Sequence, residues 1–181
     1  MDPNKNAANY IFMKINGCIL SLGTNLGDRY SNLTNAIQSL KQAGIIPYSI
    51  SSIYETEPWG YHDSNQYLNM TLRAHTQLGP IALLNTIKHI EQYYGRIPTQ
   101  DYSSRIIDID ILFFNRQVIK SDQLTIPHPE LSHRKFVLVS LNEIASDFIH
   151  PKFQMSIQHL LEECQDPGIV IKFQEYASIS Q

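Results

Sequence analysis

Isoleucine and aspartate alternate through Arg105-Ile106-Ile107-Asp108-Ile109-Asp110-Ile111-Leu112-Phe113, a pattern that an extended strand sorts into two faces. Alternate side chains of a strand share a side. Ile107, Ile109, Ile111 and Phe113 are therefore expected on one face, and Ile106, Asp108, Asp110 and Leu112 on the other. That second face holds two carboxylates about 7 Å apart among apolar neighbours. Such a pair repels itself and needs a cation, a proton or solvent. Mg²⁺ suits it, because Mg²⁺ takes oxygen ligands and binds through one or two carboxylates plus substrate phosphates. A solvated pair beside salt-bridging arginines is the alternative that the D-x-D motif alone leaves open.

The chain around this strand has the composition of one globular domain. Its 181 residues, 43% hydrophobic and 17% charged, suffice for a sizeable core and are too apolar for disorder. A net charge of −3 argues against a general nucleic-acid or membrane-surface binder. No apolar run approaches the roughly 18 residues of a membrane span. Cys18 in a strand pattern and Cys164 on a helical stripe read as buried reduced thiols, and the expected compartment is the cytoplasm. Residues 1–14 read as a flexible N-terminal extension and residues 15–181 as a single domain; a monomer is expected.

In order, residues 18–22 read as a first strand, ending in the turn Gly23-Thr24-Asn25-Leu26-Gly27-Asp28. This turn lacks the spacing of a phosphate loop and reads as a chain reversal. A helix capped near Ser31, with Leu33, Ala36, Ile37 and Leu40 at helical spacing, ends by Gly44. Residues 45–54 form a second strand. The loop after it carries Trp59, a candidate wall for a flat ligand or a cover over the core edge. A third strand, residues 67–74, puts Tyr67 and Asn69 on one face, a phenol ring and an amide able to stack on a heterocycle and read its edge. Pro80 starts a second helix and Gly95 ends it. Arg96 and Arg105 bracket a polar loop before the aspartate strand, and strand parity requires Arg105 to reach round from the strand's start. Beyond it lie a turn at Asn115, an extended Ile126-Pro127-His128-Pro129, a helix over residues 130–145, a last helix ending near Cys164 and a short strand near Ile171. The order β-α-β-β-α-β is the ferredoxin-like α+β arrangement, an antiparallel sheet with helices on one face, here with C-terminal additions. The opposite face is expected to be free for ligands.

Taken together, S-L-G-T-N-L-G-D, Y-E-T-E-P-W-G, Y-L-N, G-R, R-I-I-D-I-D-I-L, I-P-H-P and R-K-F-V-L, in that order over residues 18–164, resemble the 6-hydroxymethyl-7,8-dihydropterin pyrophosphokinases of folate synthesis. The resemblance implies a transferase that moves pyrophosphate from ATP to a reduced pterin alcohol and releases AMP. It implies small-molecule substrates and no nucleic-acid or membrane partner. Asp108 and Asp110 would be ligands of two Mg²⁺ ions. Thr56, Trp59, Tyr67, Asn69 and Phe136 fall at pterin positions, with Glu57 at a backbone contact. Arg96, Arg105 and Arg134 fall at phosphate positions. Leu84, Ile111, Thr125 and His128 fall around the nucleotide. The chain departs from the family pattern in residues 97–104, which lack a basic residue at Pro98 and the usual Trp-Gly-Pro; Tyr102 stands in for the tryptophan as a lid. A nucleotidyltransferase and a catalytically silent ferredoxin-like binding module are the rival readings. In the former, the turn and the aspartates lie close in sequence, whereas Gly23 and Asp108 are far apart.

Overall fold

The computed structural model describes residues 15–60, 65–95 and 105–176. The elements run β1 (Asn16–Thr24), α1 (Arg29–Gln42), β2 (Ile45–Ile50), β3 (Ile53–Thr56), β4 (Tyr67–Thr76), α2 (Pro80–Tyr93), β5 (Asp108–Phe114), β6 (Ile119–Lys120), β7 (Thr125–Ile126), α3 (Lys135–Ala145), α4 (Ile157–Glu162) and β8 (Val170–Gln174). The main sheet has the order β5-β1-β4-β3-β8, with β2 also paired to β4. All its pairings are antiparallel. With β2 and β3 counted as one interrupted strand, this is the ferredoxin-like fold.

The strand period divides the core in two. Leu20, Leu22, Met70, Leu72, Ile109 and Ile111 pack under α1 and α2. Ile19, Leu112 and Phe113 point the other way and pack with Val137, Leu138, Leu141, Ile157 and Leu160 of α3 and α4. The C-terminal helices thus close part of the face expected to be free. The part beside Gly23, Asn69 and Asp108 stays open as a cleft.

Long-range contacts move several expected boundaries. The strand over residues 45–54 breaks at Ser51 and Ser52: the Ser52 N–H donates to Glu143 Oε2 of α3 at 2.8 Å, outside any ladder, and its hydroxyl donates to Oε1 at 2.7 Å. β5 begins at Asp108, not Arg105. A bulge in β5 pairs Ile19 with Phe113 but Leu20 with Ile111. Phe113 therefore joins Leu112 in the second core and leaves the face of Ile109 and Ile111. The N-cap of α1 is Asp28, whose carboxylate accepts the Ser31 N–H at 3.0 Å. The helix expected over residues 130–145 is a 3₁₀ turn, Leu131–His133, then an extended Arg134, then α3. α4 stops before Cys164, which packs half-buried against the second core. Both cysteines are free, and burial pushes the Cys18 thiol up to about 12. Among the described residues no helix is long and apolar enough to cross a membrane.

Candidate active site

The centre of the site is a place where β1 has almost no side chain. Its register sets Ser21 beside Asp110, and Gly23 beside Asp108 on one flank and Asn69 on the other. A Cβ on Gly23 would stand 2.9 Å from Asn69 Oδ1 and 3.8 Å from Tyr67 Cδ1. Only hydrogen there lets the amide lie against the strand. Asn69 Nδ2 donates to Thr56 Oγ1 at 2.8 Å, and both residues are buried. The pair therefore presents a fixed polar edge at the cleft floor.

A cleft of ≈ 190 Å³ opens over this floor, lined by Thr56, Trp59, Tyr67, Asn69 and Phe136 together with Asp108, Asp110, Arg105 and Arg134. Glu57 also lines it. A second cleft of ≈ 310 Å³ is lined by Leu84, Ile111, Thr125 and the loop Ser121, Asp122, Gln123 and Leu124. The two clefts share Asp110 and His128. One is lined by aromatic rings beside a buried amide and the other by apolar side chains beside polar atoms, and they meet at a carboxylate.

The charges are arranged in pairs. Arg105 Nη1 lies 3.0 Å from Asp108 Oδ2, reaching back from before the strand. Arg134 Nη1 lies 3.4 Å from Asp110 Oδ2, and its guanidinium carbon sits 4.9 Å from the centre of the Trp59 ring. His128 Nε2 lies 3.8 Å from the same Asp110 oxygen. Its Nδ1 accepts the Glu130 N–H at 3.2 Å, which in the neutral ring leaves the proton on Nε2. Burial lowers the His128 pKa, while Asp110 pulls it up and Arg134 pushes it down.

Two positioning residues escaped the sequence reading. Asn25 holds the backbone of Arg105 in both directions: Oδ1 accepts the Arg105 N–H at 2.8 Å, and its own N–H donates to the Arg105 carbonyl at 3.2 Å. The Gly-rich turn thus anchors an arginine as well as reversing the chain. Glu91, 2% exposed on α2, accepts the Ile109 N–H at 2.8 Å, between the two aspartates. The structure puts it on the edge of the buried face of α2, four residues after Ile87, and a carboxylate at that position was the only signal. Arg96 and Tyr102 lie outside the described residues.

Asp108 and Asp110 keep 28% and 35% of their side-chain surface exposed to the cleft and share one face of β5. Two such carboxylates, with arginines ready to meet an anion, fit Mg²⁺ bound together with a polyphosphate.

The family model described as 7,8-dihydro-6-hydroxymethylpterin-pyrophosphokinase matches residues 19–146. The 2-amino-4-hydroxy-6-hydroxymethyldihydropteridine pyrophosphokinase of Bacillus subtilis is 44% identical over 126 residues, 69% of this chain and 75% of that protein. Folic acid synthesis protein FOL1 of Dictyostelium discoideum is 38% identical over 157 residues, which cover 87% of this chain but only 23% of that longer protein. The crystal structure of Plasmodium falciparum HPPK-DHPS superposes with a TM-score of 0.68 at 19% identity, over 83% of this chain and 44% of that one.

Proposed function

The chain belongs to the 7,8-dihydro-6-hydroxymethylpterin-pyrophosphokinase family, and from that premise we propose that it transfers pyrophosphate from ATP to 6-hydroxymethyl-7,8-dihydropterin in folate synthesis. The hydroxymethyl oxygen bonds to the β-phosphorus and loses its proton. The bond from that phosphorus to the α,β-bridging oxygen breaks, and AMP leaves with the electron pair. The observation that carries this reading is the meeting of the two clefts at Asp110 and His128, which brings two bound substrates end to end.

The pterin lies in the first cleft, its faces against Tyr67 and Phe136 beside Trp59 and its edge on the Asn69–Thr56 pair. A ring-reading amide that is itself hydrogen-bonded loses little freedom when the pterin arrives. ATP lies with its base side toward Leu84, Ile111 and Thr125 and its phosphates toward His128. Arg105 and Arg134 exchange their present aspartate partners for phosphate oxygens, which guanidinium groups clamp in bidentate fashion. Asp108 and Asp110 would hold two Mg²⁺ ions, whose chemistry when bound is to neutralise the triphosphate and polarise the phosphorus under attack. Arg96 and Tyr102 keep the roles of phosphate holder and lid. The unit is residues 15–181 acting as a monomer in the cytoplasm, with residues 1–14 as an extension.

The test is product analysis with ATP, Mg²⁺ and the hydroxymethyl dihydropterin. AMP and pterin diphosphate should appear in equal amounts. Pyrophosphate with a nucleotidylated pterin, ADP with a pterin monophosphate, or no Mg²⁺-dependent turnover would overturn the assignment.

A further inference from the structure

The family match ends at residue 146, yet the chain runs on through α4 and β8 and returns to the frame of the cleft. We propose that Asp166, in this later stretch, is a positioning residue that sets the first turn of α3 and, through it, Arg134 and Phe136; the inference rests on the reaction assigned above.

The first N–H groups of a helix have no partner within the helix. The residue at the N-cap of α3, Arg134, makes no side-chain capping bond. Asp166 supplies it from elsewhere: Oδ2 accepts the Lys135 N–H at 3.0 Å. Oδ1 accepts the Gly168 N–H at 2.9 Å, which fixes the carboxylate's direction. Gly168 packs so closely that a Cβ there would come 3.0 Å from Oδ1. The negative charge also complements the helix dipole.

Lys135 stands between the two cleft residues. On one side Arg134 reaches Asp110 at 3.4 Å and covers Trp59. On the other, Phe136 forms cleft wall. The segment bearing Asp166 is held at both ends: α4 shares the core of α3, and β8 pairs Val170 with Thr56 of the cleft floor. Removing the carboxylate loosens a phosphate-holding arginine and an aromatic wall together. Asp108, Asp110 and Arg105 lie on another segment with anchors of their own.

The experiment compares Asp166→Ala with Asp166→Asn, whose amide oxygen still accepts the Lys135 N–H. Asp166→Ala should raise KM for both ATP and the pterin by about fivefold or more, as expected when binding groups lose their geometry. It should also shift the emission of Trp59, the only tryptophan, and speed amide exchange at residues 135–138. Asp166→Asn, whose single acceptor can serve the Lys135 N–H only by turning its NH2 toward the Gly168 N–H, should fall between the parent and Asp166→Ala in both KM values. A purely structural role predicts a lower melting midpoint with KM, emission and exchange unchanged in the folded protein, and that outcome overturns the proposal. If Asp166→Ala does not fold, Asp166→Gln, with its acceptor one methylene further out, is held to the same criteria. Emission and exchange need no turnover. A parent protein without activity would sink the assigned reaction, and those two measurements would still decide the role of Asp166.

Discussion

Glu91 on α2 and Ile109 on β5 are joined by a 2.8 Å hydrogen bond from the Ile109 N–H to the Glu91 carboxylate, which fastens the residue between the two aspartates to the helix behind the sheet. The bond is buried, so deleting the acceptor strands an N–H away from water. Glu91→Ala should cost about 1–3 kcal/mol and lower kcat, because the aspartate strand loses its tether. Glu91→Gln keeps an acceptor and should recover most of both. Thermal melting and steady-state kinetics check this; an alanine variant as stable and as fast as the parent would rule the tether out.

Asp108→Ala and Asp110→Ala should each abolish transfer while the fold survives. Their arginine pairs are partly open to solvent and contribute no more than about 1 kcal/mol, whereas each aspartate is a proposed anionic metal ligand. The measurements are product formation with Mg²⁺ and the melting midpoint. Arg105→Ala should reduce kcat more than it weakens the pterin; loss of pterin affinity alone would contradict its phosphate role.

Local periodicity made much of this site legible. Asp108 and Asp110 against Ile109 and Ile111 follow from alternation alone, and Leu33 to Leu40 from helical spacing, because both patterns are set by backbone geometry. What stayed hidden depends on partners far away in sequence. Phe113 changed faces because β5 carries one more residue than β1 opposite it, which is visible only once the strands are paired. The strand at Ser52 breaks for Glu143, and the helix start at Lys135 is set by Asp166. Asn25, Glu91 and Asp166 share one disguise: each accepts a distant backbone N–H, a group with no letter in the sequence. The cleft-floor residues Asn69 and Thr56 were found separately, by strand parity and by motif, and their hydrogen bond joins the two.

Acid should loosen the protein through His150. Its Nδ1 accepts the Lys152 and Phe153 N–H groups at 3.2 and 3.1 Å, and its ring stacks on Phe153 and meets the edge of Phe113. Burial, aided by Lys152, pulls its pKa from 6.5 to about 4. The folded value lies below the unfolded one, so between them the unfolded chain binds more protons. The stabilisation is complete above pH 6.5 and is lost as pH falls through about 4, at up to about 1.4 kcal/mol per unit. Denaturation midpoints across this window should fall more steeply for the parent than for His150→Gln. Parallel slopes would mean that His150 titrates alike in both states.

Gly23→Ala should damage one substrate and spare the other. The new methyl group would fall 2.9 Å from Asn69 Oδ1, closer than a carbon and an oxygen tolerate, and the amide would have to swing away from β1. Its bond to Thr56 would break with it. The second cleft lies across Asp110 and contains neither Gly23 nor Asn69. KM for the pterin should therefore rise by about tenfold or more, the cost of misplacing one recognition group, while KM for ATP changes by less than about twofold. Gly23→Ala with Asn69→Ala should lose little beyond Asn69→Ala alone, since the methyl then meets only Tyr67 Cδ1 at 3.8 Å, an ordinary contact. Separate titrations of each substrate against the three variants decide it. Equal losses toward both substrates would mean that the methyl group distorts the aspartate strand, and the division of the site into two clefts would need redrawing.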